Sequence, residues 1–350
     1  MLRIMRHLGV QRESRNGLVL QLDKPVATVY HRPEQRVECH EWRDSNPFFH
    51  FYESLWMLAG RQEVAPLTKY VERMASFSDD GEVFNAAYGY RWRHAQGDDQ
   101  LDAIVRRLTE DRNDRRSVLQ IWDAVLDLFA GDDGLYRGKD AACNLTATFQ
   151  INPSTDALDL VVFCRSNDLL WGAYGANAVH FSVLLEYMAS RIGVAIGTYT
   201  QISVNLHAYD KTAGPMYQHG SADYCGDPYE IGTGQGSDGL DGILPDVLYP
   251  YPLFGRGEAD DWDKDCLEFV MPNGRVPAGD RARRTRFFRE VAWPIALAHD
   301  CFTVQGFDHA SRIKGALTAI RDCEATDWRY ACTRWLLRRR DSWIKKGLMK

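Results

Sequence analysis

Hydrophobic and polar positions along this chain repeat with two periods. Phe48–Gly60 (FFHFYESLWMLAG) carries apolar residues at helical spacing and closes on a glycine suited to a C-cap. Ser117–Trp122 (SVLQIW), Leu145–Ile151 (LTATFQI) and Leu158–Phe163 (LDLVVF) read as strands, and Asn152–Ala157 (NPSTDA) supplies the turn between the last two. Ala176–Ile192 predicts a long, largely buried helix, and Thr198–Leu206 (TYTQISVNL) a further strand. Strands and helices do not alternate strictly, which favours an α+β fold over a doubly wound sheet.

From about Asp210 to Gly279 the pattern gives way to glycine, proline and acid. Between Asp223 and Asp265, Asp223, Asp227, Glu230, Asp238, Asp241, Asp246, Glu258, Asp260, Asp261, Asp263 and Asp265 face only Arg256 and Lys264, and the whole stretch reads as an insertion or long ordered surface loop. Helical patterning returns from about Ala282 to Leu348. At its end, Arg334–Lys350, residues Arg334, Arg338, Arg339, Arg340, Lys345, Lys346 and Lys350 stand against Asp341, read as a solvated helix face rather than an anion site.

Composition narrows the class. The 350 residues are 45% hydrophobic, 26% charged and 12% aromatic, enough for a large core in one or two domains. A net charge of −6 argues against a broadly basic nucleic-acid-coating surface, yet leaves room for a small anion held by a few arginines. No apolar run reaches the roughly 18–20 residues of a membrane helix, and Met1–Arg15 shows no signal-peptide core. The 8 cysteines form no CxxC pair and read as reduced intracellular thiols, so a cytoplasmic location is expected. No His/Cys/carboxylate cluster has ligand spacing, so no metal is expected.

One cysteine stands in a chemically suggestive setting. Cys143 (in AACNL) precedes a predicted strand, and the next strand ends in Cys164–Asp168 (CRSND). Arginine followed by serine at a strand end can hold a phosphate. A nearby guanidinium also lowers a thiol's pKa, which predicts an activated nucleophile. Upstream, DRNDRR places Arg115 and Arg116 side by side before a strand.

In this order and spacing, the sequence resembles thymidylate synthase and its pyrimidine-nucleotide hydroxymethylase relatives. The blocks are Asp114–Arg115–Arg116 with Trp122, the Cys143 strand, Arg165–Ser166–Asn167–Asp168, and His207–Ala208–Tyr209. Glu53–Ser54–Leu55–Trp56 with Gly60, Tyr88–Gly89–Tyr90–Arg91–Trp92–Arg93 and Arg15–Asn16–Gly17 agree. The resemblance runs from about residue 12 to 210; it implies a single thymidylate synthase-like domain over 1–350, with an acidic insertion at about 211–280 and a helical extension at about 281–350. The implied fold is α+β, a large mixed sheet with packed helices whose face pairs with a second copy. The implied partners are a nucleotide, 5,10-methylenetetrahydrofolate as co-substrate and the homodimer mate, with neither membrane nor nucleic acid.

By the same resemblance, Cys143 adds to C6 of the pyrimidine, Glu53 relays protons through water, and Tyr88 serves proton transfer at C5. Arg15, Arg165 and Ser166 hold the 5′-phosphate, joined by Arg115 and Arg116 from the other subunit. His207 and Tyr209 bond the sugar, and Asp168 lies near the pterin.

Departures from the synthase pattern bear on the reaction. By count, the base-reading asparagine falls on Ala176, with Asn177 one residue later, so either a one-residue shift brings Asn177 to the base or another group reads it. The aspartate expected of a cytosine enzyme is absent, which favours dUMP over dCMP or CMP. Met74–Phe84 lacks the synthase tryptophans, Asn144 and Cys164 replace a histidine and a glutamine, and no closing tail is recognisable in Trp343–Lys350. A site so opened admits water, which predicts a hydroxymethylase. A true thymidylate synthase, or an inactive nucleotide-binding relative, are the alternatives.

Overall fold

The computed structural model describes residues 1–131, 133–219, 228–231, 243–255, 258–271 and 284–349. The chain forms two compact units, Met1–Arg36 with Glu53–Tyr224, and Val37–Tyr52 with Cys225–Lys350. The division falls within helix Pro47–Leu58.

The first unit is α+β, with a five-stranded and a four-stranded sheet. Its strands are β1 (Val10–Ser14), β2 (Gly17–Gln21), β3 (Val26–Tyr30), β4 (Val118–Gln120), β5 (Asn144–Ile151), β6 (Ala157–Cys164), β7 (Asn167–Asp168), β8 (Ala195–Ser203) and β9 (Leu206–Tyr209). The large sheet has the order β3-β8-β6-β5-β4 and the small one β1-β2-β9-β7. Only β6 and β8 run parallel in the large sheet, because helix Ala176–Ile192 carries the chain back between them.

Side chains alternate across the sheet, so each cross-strand row belongs to one face. The row Leu119–Ala147–Val162–Gln201–Thr28 is buried, and so are Phe149, Leu160 and Tyr199 in the row beside it. Tyr199 stacks on Tyr30 with ring centroids 4.6 Å apart. The same face ends in a polar row, Asn144–Cys164–Ser203, all fully buried. On the opposite face, Val118–Thr148–Val161–Thr200–Val29 and Gln120–Thr146–Phe163–Ile202–Ala27 are partly or fully exposed.

The predicted elements recur with small shifts. Helix Pro47–Leu58 stops where expected, with Gly60 at φ 69° and Arg61 N–H returning to the Trp56 carbonyl at 3.1 Å. The expected single strand Thr198–Leu206 is instead two, β8 and β9. Val204 N–H bonds the Cys164 carbonyl while the Asn205 carbonyl accepts from Asn167 N–H, so the chain leaves the large sheet there and enters the small one.

One ion pair ties several of these pieces together. Arg91 and Asp127 are 1% and 0% exposed, in a region where either charge alone would be costly. All donors of Arg91 are used: Nη1 and Nη2 reach both Asp127 oxygens at 2.9 and 3.2 Å, Nη1 also the Ile121 carbonyl, and Nε and Nη2 the Asn85 carbonyl. Asp127 further accepts from Asp123 N–H at 2.9 Å and Ala142 N–H at 3.1 Å.

The second unit is helical. Ala259–Val270, Trp293–Thr303, His309–Ile320 and Thr326–Lys345 supply an aromatic core in which Trp262 meets Phe254, Phe287 and Phe288. The stretch expected as a surface loop therefore contains helices Asp210–His219, Pro228–Ile231 and Ala259–Val270 among its described residues. Asp265 is buried and accepts from Thr285 N–H and Oγ1 and from Arg284, which a surface loop would not need. Asp223, Asp227, Asp238, Asp241 and Arg256 lie outside the described residues. The basic C-terminal face is not simply solvated: Arg334 pairs with Glu41, and Arg338 and Arg339 both pair with Asp44. No helix among the described residues is long and apolar enough to cross a membrane.

Asp127→Ala leaves the Arg91 guanidinium buried without its counter-charge. The expected loss is about 3–5 kcal/mol of unfolding free energy, to be read by urea denaturation.

Candidate active site

Cys143 lies half-buried immediately before β5. Arg165 grips the segment leading to it at three consecutive carbonyls: Nη2 donates to Ala141 at 2.9 Å, Nε to Ala142 at 2.8 Å, and the backbone N–H to Cys143 at 2.9 Å. Arg15, at the β1–β2 hairpin, donates to the Gly138 and Lys139 carbonyls at 3.3 and 3.0 Å. Asp140 anchors the middle of this loop by accepting from Ala86 N–H at 2.9 Å, and burial pushes its carboxyl up to about 6. Two expected phosphate ligands thus meet the nucleophile's own loop.

The thiol is not activated as expected. Burial raises the Cys143 pKa, Asp140 adds to the rise, and the Arg165 and Arg15 guanidiniums offset it only in part. Desolvation of a thiolate outweighs two partly exposed cations at this position.

Tyr88 opens helix Tyr88–Arg93, and its hydroxyl accepts from Cys143 N–H at 3.3 Å and Asn144 N–H at 3.4 Å. With both acceptor sites engaged, the O–H proton must point elsewhere. Burial, reinforced by Cys143 and Cys164, holds the phenol well above its ordinary pKa, so it stays protonated. Gly89 lets this helix sit against the earlier helix Pro47–Leu58, because a Cβ there would meet the Met57 carbonyl oxygen at 2.0 Å. That earlier helix carries Glu53, whose carboxylate lies 3.1 Å from His180 Nε2. His180 is three residues beyond Asn177 on helix Ala176–Ile192, so one helix face presents both.

Asn177 is drawn into the site. Its Oδ1 accepts from Asn144 Nδ2 at 3.3 Å and its Nδ2 donates to Asn167 Oδ1 at 3.2 Å. Asn167 in turn donates to Gln201 Oε1 at 2.8 Å and Ser203 Oγ at 2.9 Å. Gly172 borders this chain of amides: a Cβ there would come within 1.9 Å of Asn167 Oδ1 and 3.0 Å of Asn177 Nδ2.

Asp168 caps the turn Leu169–Ala173, Oδ1 accepting from Leu170 N–H at 2.9 Å and Trp171 N–H at 2.5 Å. Its Oδ2 is buried with no hydrogen-bond partner among the described residues, an expensive arrangement unless a further donor completes it. His207 pairs with Asp168 across β7 and β9, its Nδ1 meets Asn205 Oδ1 at 3.1 Å, and burial lowers its pKa against the pull of Asp168. Tyr209 packs edge-on against His207 at 5.3 Å and accepts from Asn16 Nδ2 at 3.5 Å. Ser166 sits half-buried between Arg165 and Asn167.

Arg115 and Arg116 are not gathered with these groups. Asp114 organises their turn by accepting from Arg107, Ser117 and Arg116, interactions that hold its carboxyl well below the usual range. Both arginines are exposed, the Arg116 side chain at 81%. The sequence motifs do not single out His180, Asp140, Gln201 or Ser203; the available signal for the last two was their alternation with Tyr199 on one face of a predicted strand. Among the described residues, no His/Cys/carboxylate group could hold a metal ion.

Cys143 beside Arg165, a carboxylate–histidine pair and an amide chain thus lie at the end of one sheet, and the sequence pattern of the thymidylate synthase family matches residues 9–221. The chain belongs to the thymidylate synthase family. It is 43% identical over 332 residues to a protein of Pseudomonas phage M6 named deoxyuridylate hydroxymethyltransferase, covering 95% of this chain and 88% of that one. Proteins of the same name from Bacillus phage SP01 and Delftia phage PhiW-14 are 39% and 30% identical, over 53% and 57% of this chain and 49% and 56% of theirs. The M6 match is too long to be confined to residues 9–221, so it reaches into the C-terminal helices.

Alkylation of Cys143 by iodoacetamide is expected to have its pH midpoint on the alkaline side of an ordinary thiol. Arg165→Gln should move it further up, because the cation that offsets burial is gone.

Proposed function

We propose that this protein is a deoxyuridylate hydroxymethyltransferase, converting dUMP to 5-hydroxymethyl-dUMP. The observation that carries the reading is the similarity to the phage M6 protein over 95% of the chain. Methylenetetrahydrofolate supplies the one-carbon unit when bound. The buried, unpartnered Asp168 Oδ2 suits the N–H donors of a pterin, and the exposed Trp171 ring lies 4.1 Å beneath the Arg73 guanidinium as a flat apolar face beside it.

In this reading Cys143 Sγ, deprotonated on binding, forms a bond to C6 and the ring electrons move to C5, which attacks the one-carbon unit. Arg165 Nη1, which carries no partner among the described contacts, and Ser166 hold the 5′-phosphate with Arg15, and charge neutralisation there favours the thiolate. Asn177 meets the base edge, the one-residue shift supplying what Ala176 lacks. His207 and Tyr209 bond the sugar. Glu53, oriented by His180, relays protons through water, and the Tyr88 O–H serves the exchange at C5. Loss of the C5 proton, with cleavage of the bond between the one-carbon unit and the folate nitrogen and departure of tetrahydrofolate, would leave an exocyclic methylene on C5. Water adds to that methylene, the C6–S bond breaks and its electron pair returns to sulfur. The exposed segment Glu72–Phe77, where the synthase has tryptophans, supports water over hydride at this step.

The exposed sheet rows support a homodimer through that face, since Val29 and Val118 are 45% and 46% exposed. Arg115 and Arg116 would then serve the partner's phosphate site.

Incubation with dUMP and methylenetetrahydrofolate should give a 5-hydroxymethyl nucleotide without dihydrofolate absorbance. Formation of dTMP with dihydrofolate would identify a true synthase instead. Cys143→Ala should abolish tritium release from C5-labelled dUMP, as an inactive binding protein would from the outset. Mixing equal amounts of Cys143→Ala and Arg115→Ala/Arg116→Ala proteins should restore about a quarter of wild-type activity if sites are shared across a two-fold axis. No recovery after subunit exchange would rule out sharing.

A further inference from the structure

The amides around Asn177 close on themselves. Beyond the links already described, Gln201 Nε2 donates to Cys164 Sγ at 3.3 Å, and the Cys164 thiol donates to Asn144 Oδ1 at 2.6 Å. The circuit is therefore Asn144 to Asn177 to Asn167 to Gln201 to Cys164 and back to Asn144, each side chain donating to the next. Asn144, Asn167, Gln201 and Cys164 are 0–2% exposed, while Asn177 alone is half-buried. Only Asn177 can offer part of the ring to a ligand.

Direction matters because an amide has a donor end and an acceptor end. Turning Asn177 over by itself would set its amino group against that of Asn144 and its carbonyl against that of Asn167. Reversal therefore requires all five groups to turn together. As it stands, Asn177 Oδ1 has spent one acceptor site on Asn144 and Nδ2 one hydrogen on Asn167, leaving one acceptor and one donor in a fixed order. Uracil presents a donor at N3 and an acceptor at O4; cytosine presents the reverse. One order of the Asn177 amide can match only one of them. Burial pushes the Cys164 thiol up to about 12, so the link that closes the ring keeps its proton through neutral pH.

We propose that this closed ring is the device by which the enzyme discriminates uracil from cytosine, with Cys164 and Gln201 as positioning residues that lock the orientation of Asn177. The proposal rests on the reading that Asn177 meets the base. Opening the ring leaves Asn177 free to turn, so that selectivity falls even where the site still works.

The test is kcat/KM for C5-tritiated dUMP and dCMP, measured with methylenetetrahydrofolate on the full-length enzyme. Cys164→Ala and Gln201→Leu open the ring at two independent points, and their thermal melts show which folds. Each folded variant is expected to lose about tenfold of the dUMP/dCMP preference, the worth of one well-made hydrogen bond. Cys164→Ser, which keeps a donor and an acceptor, should return the ratio to within about twofold of wild type, whereas a role in packing alone would leave the ratio unmoved in all three. Asn177→Asp separates the two ideas. An altered ratio in Asn177→Asp with wild-type ratios in both ring-opened variants overturns the ring. An unaltered ratio in Asn177→Asp overturns the base-reading role of Asn177 and the ring with it.

Discussion

The loop that carries Cys143 is held where it is by a buried charge pair whose hydrogen bonds are all used. Arg91 and Asp127 cannot be exposed to water where they sit, so their hydrogen bonds must come from the protein. They obtain them from Asn85, Ile121, Asp123 and Ala142, which belong to chain segments otherwise far apart. The consequence is geometric. The Tyr88 helix, the chain just after β4 and the residue before Cys143 are fixed relative to one another, and Tyr88 can then bond the backbone of Cys143 itself.

The site is a contest between burial and charge. The net charge of −6 belongs largely to acidic positions remote in sequence from the site, while Arg15 and Arg165 make the nucleophile's loop locally basic. Even so, burial wins at the Cys143 thiol in the free chain. A substrate phosphate drawn to the same arginines would leave ring contact and orientation, rather than resting acidity, to bring the thiol into reaction. In the proposed reaction, such a thiol would stay inert until a nucleotide arrives. The polar end row of the buried face follows the same logic: no amide there can be left unpaired, and the pairs close into a circuit.

Much of the local structure was legible in the sequence. Helix Ala176–Ile192 and strands β5 and β6 appear with nearly the predicted bounds, because periodicity reports burial directly. Gly60 and the NPSTDA turn declared themselves through backbone chemistry. The acidic stretch misled, since composition says nothing of a carboxylate such as Asp265 buried against Thr285 and Arg284. So did the single strand Thr198–Leu206, whose break depends on two different sheets claiming its backbone bonds.

Motif order along the chain determined the family and named Cys143, Glu53, Tyr88 and Arg165, because those residue types and spacings are what the chemistry needs. It could not weigh desolvation against charge at the thiol, nor choose between Ala176 and Asn177, nor find His180 beside Glu53. The Glu53–His180 pair, like the surroundings of the thiol and of Asn177, depends on which side chains a folded sheet and one helix face bring within about 3 Å. Hydrogen bonding at that range depends on position in space, and residues as far apart in sequence as Asn144, Cys164 and Gln201 acquire it only when the strands pair.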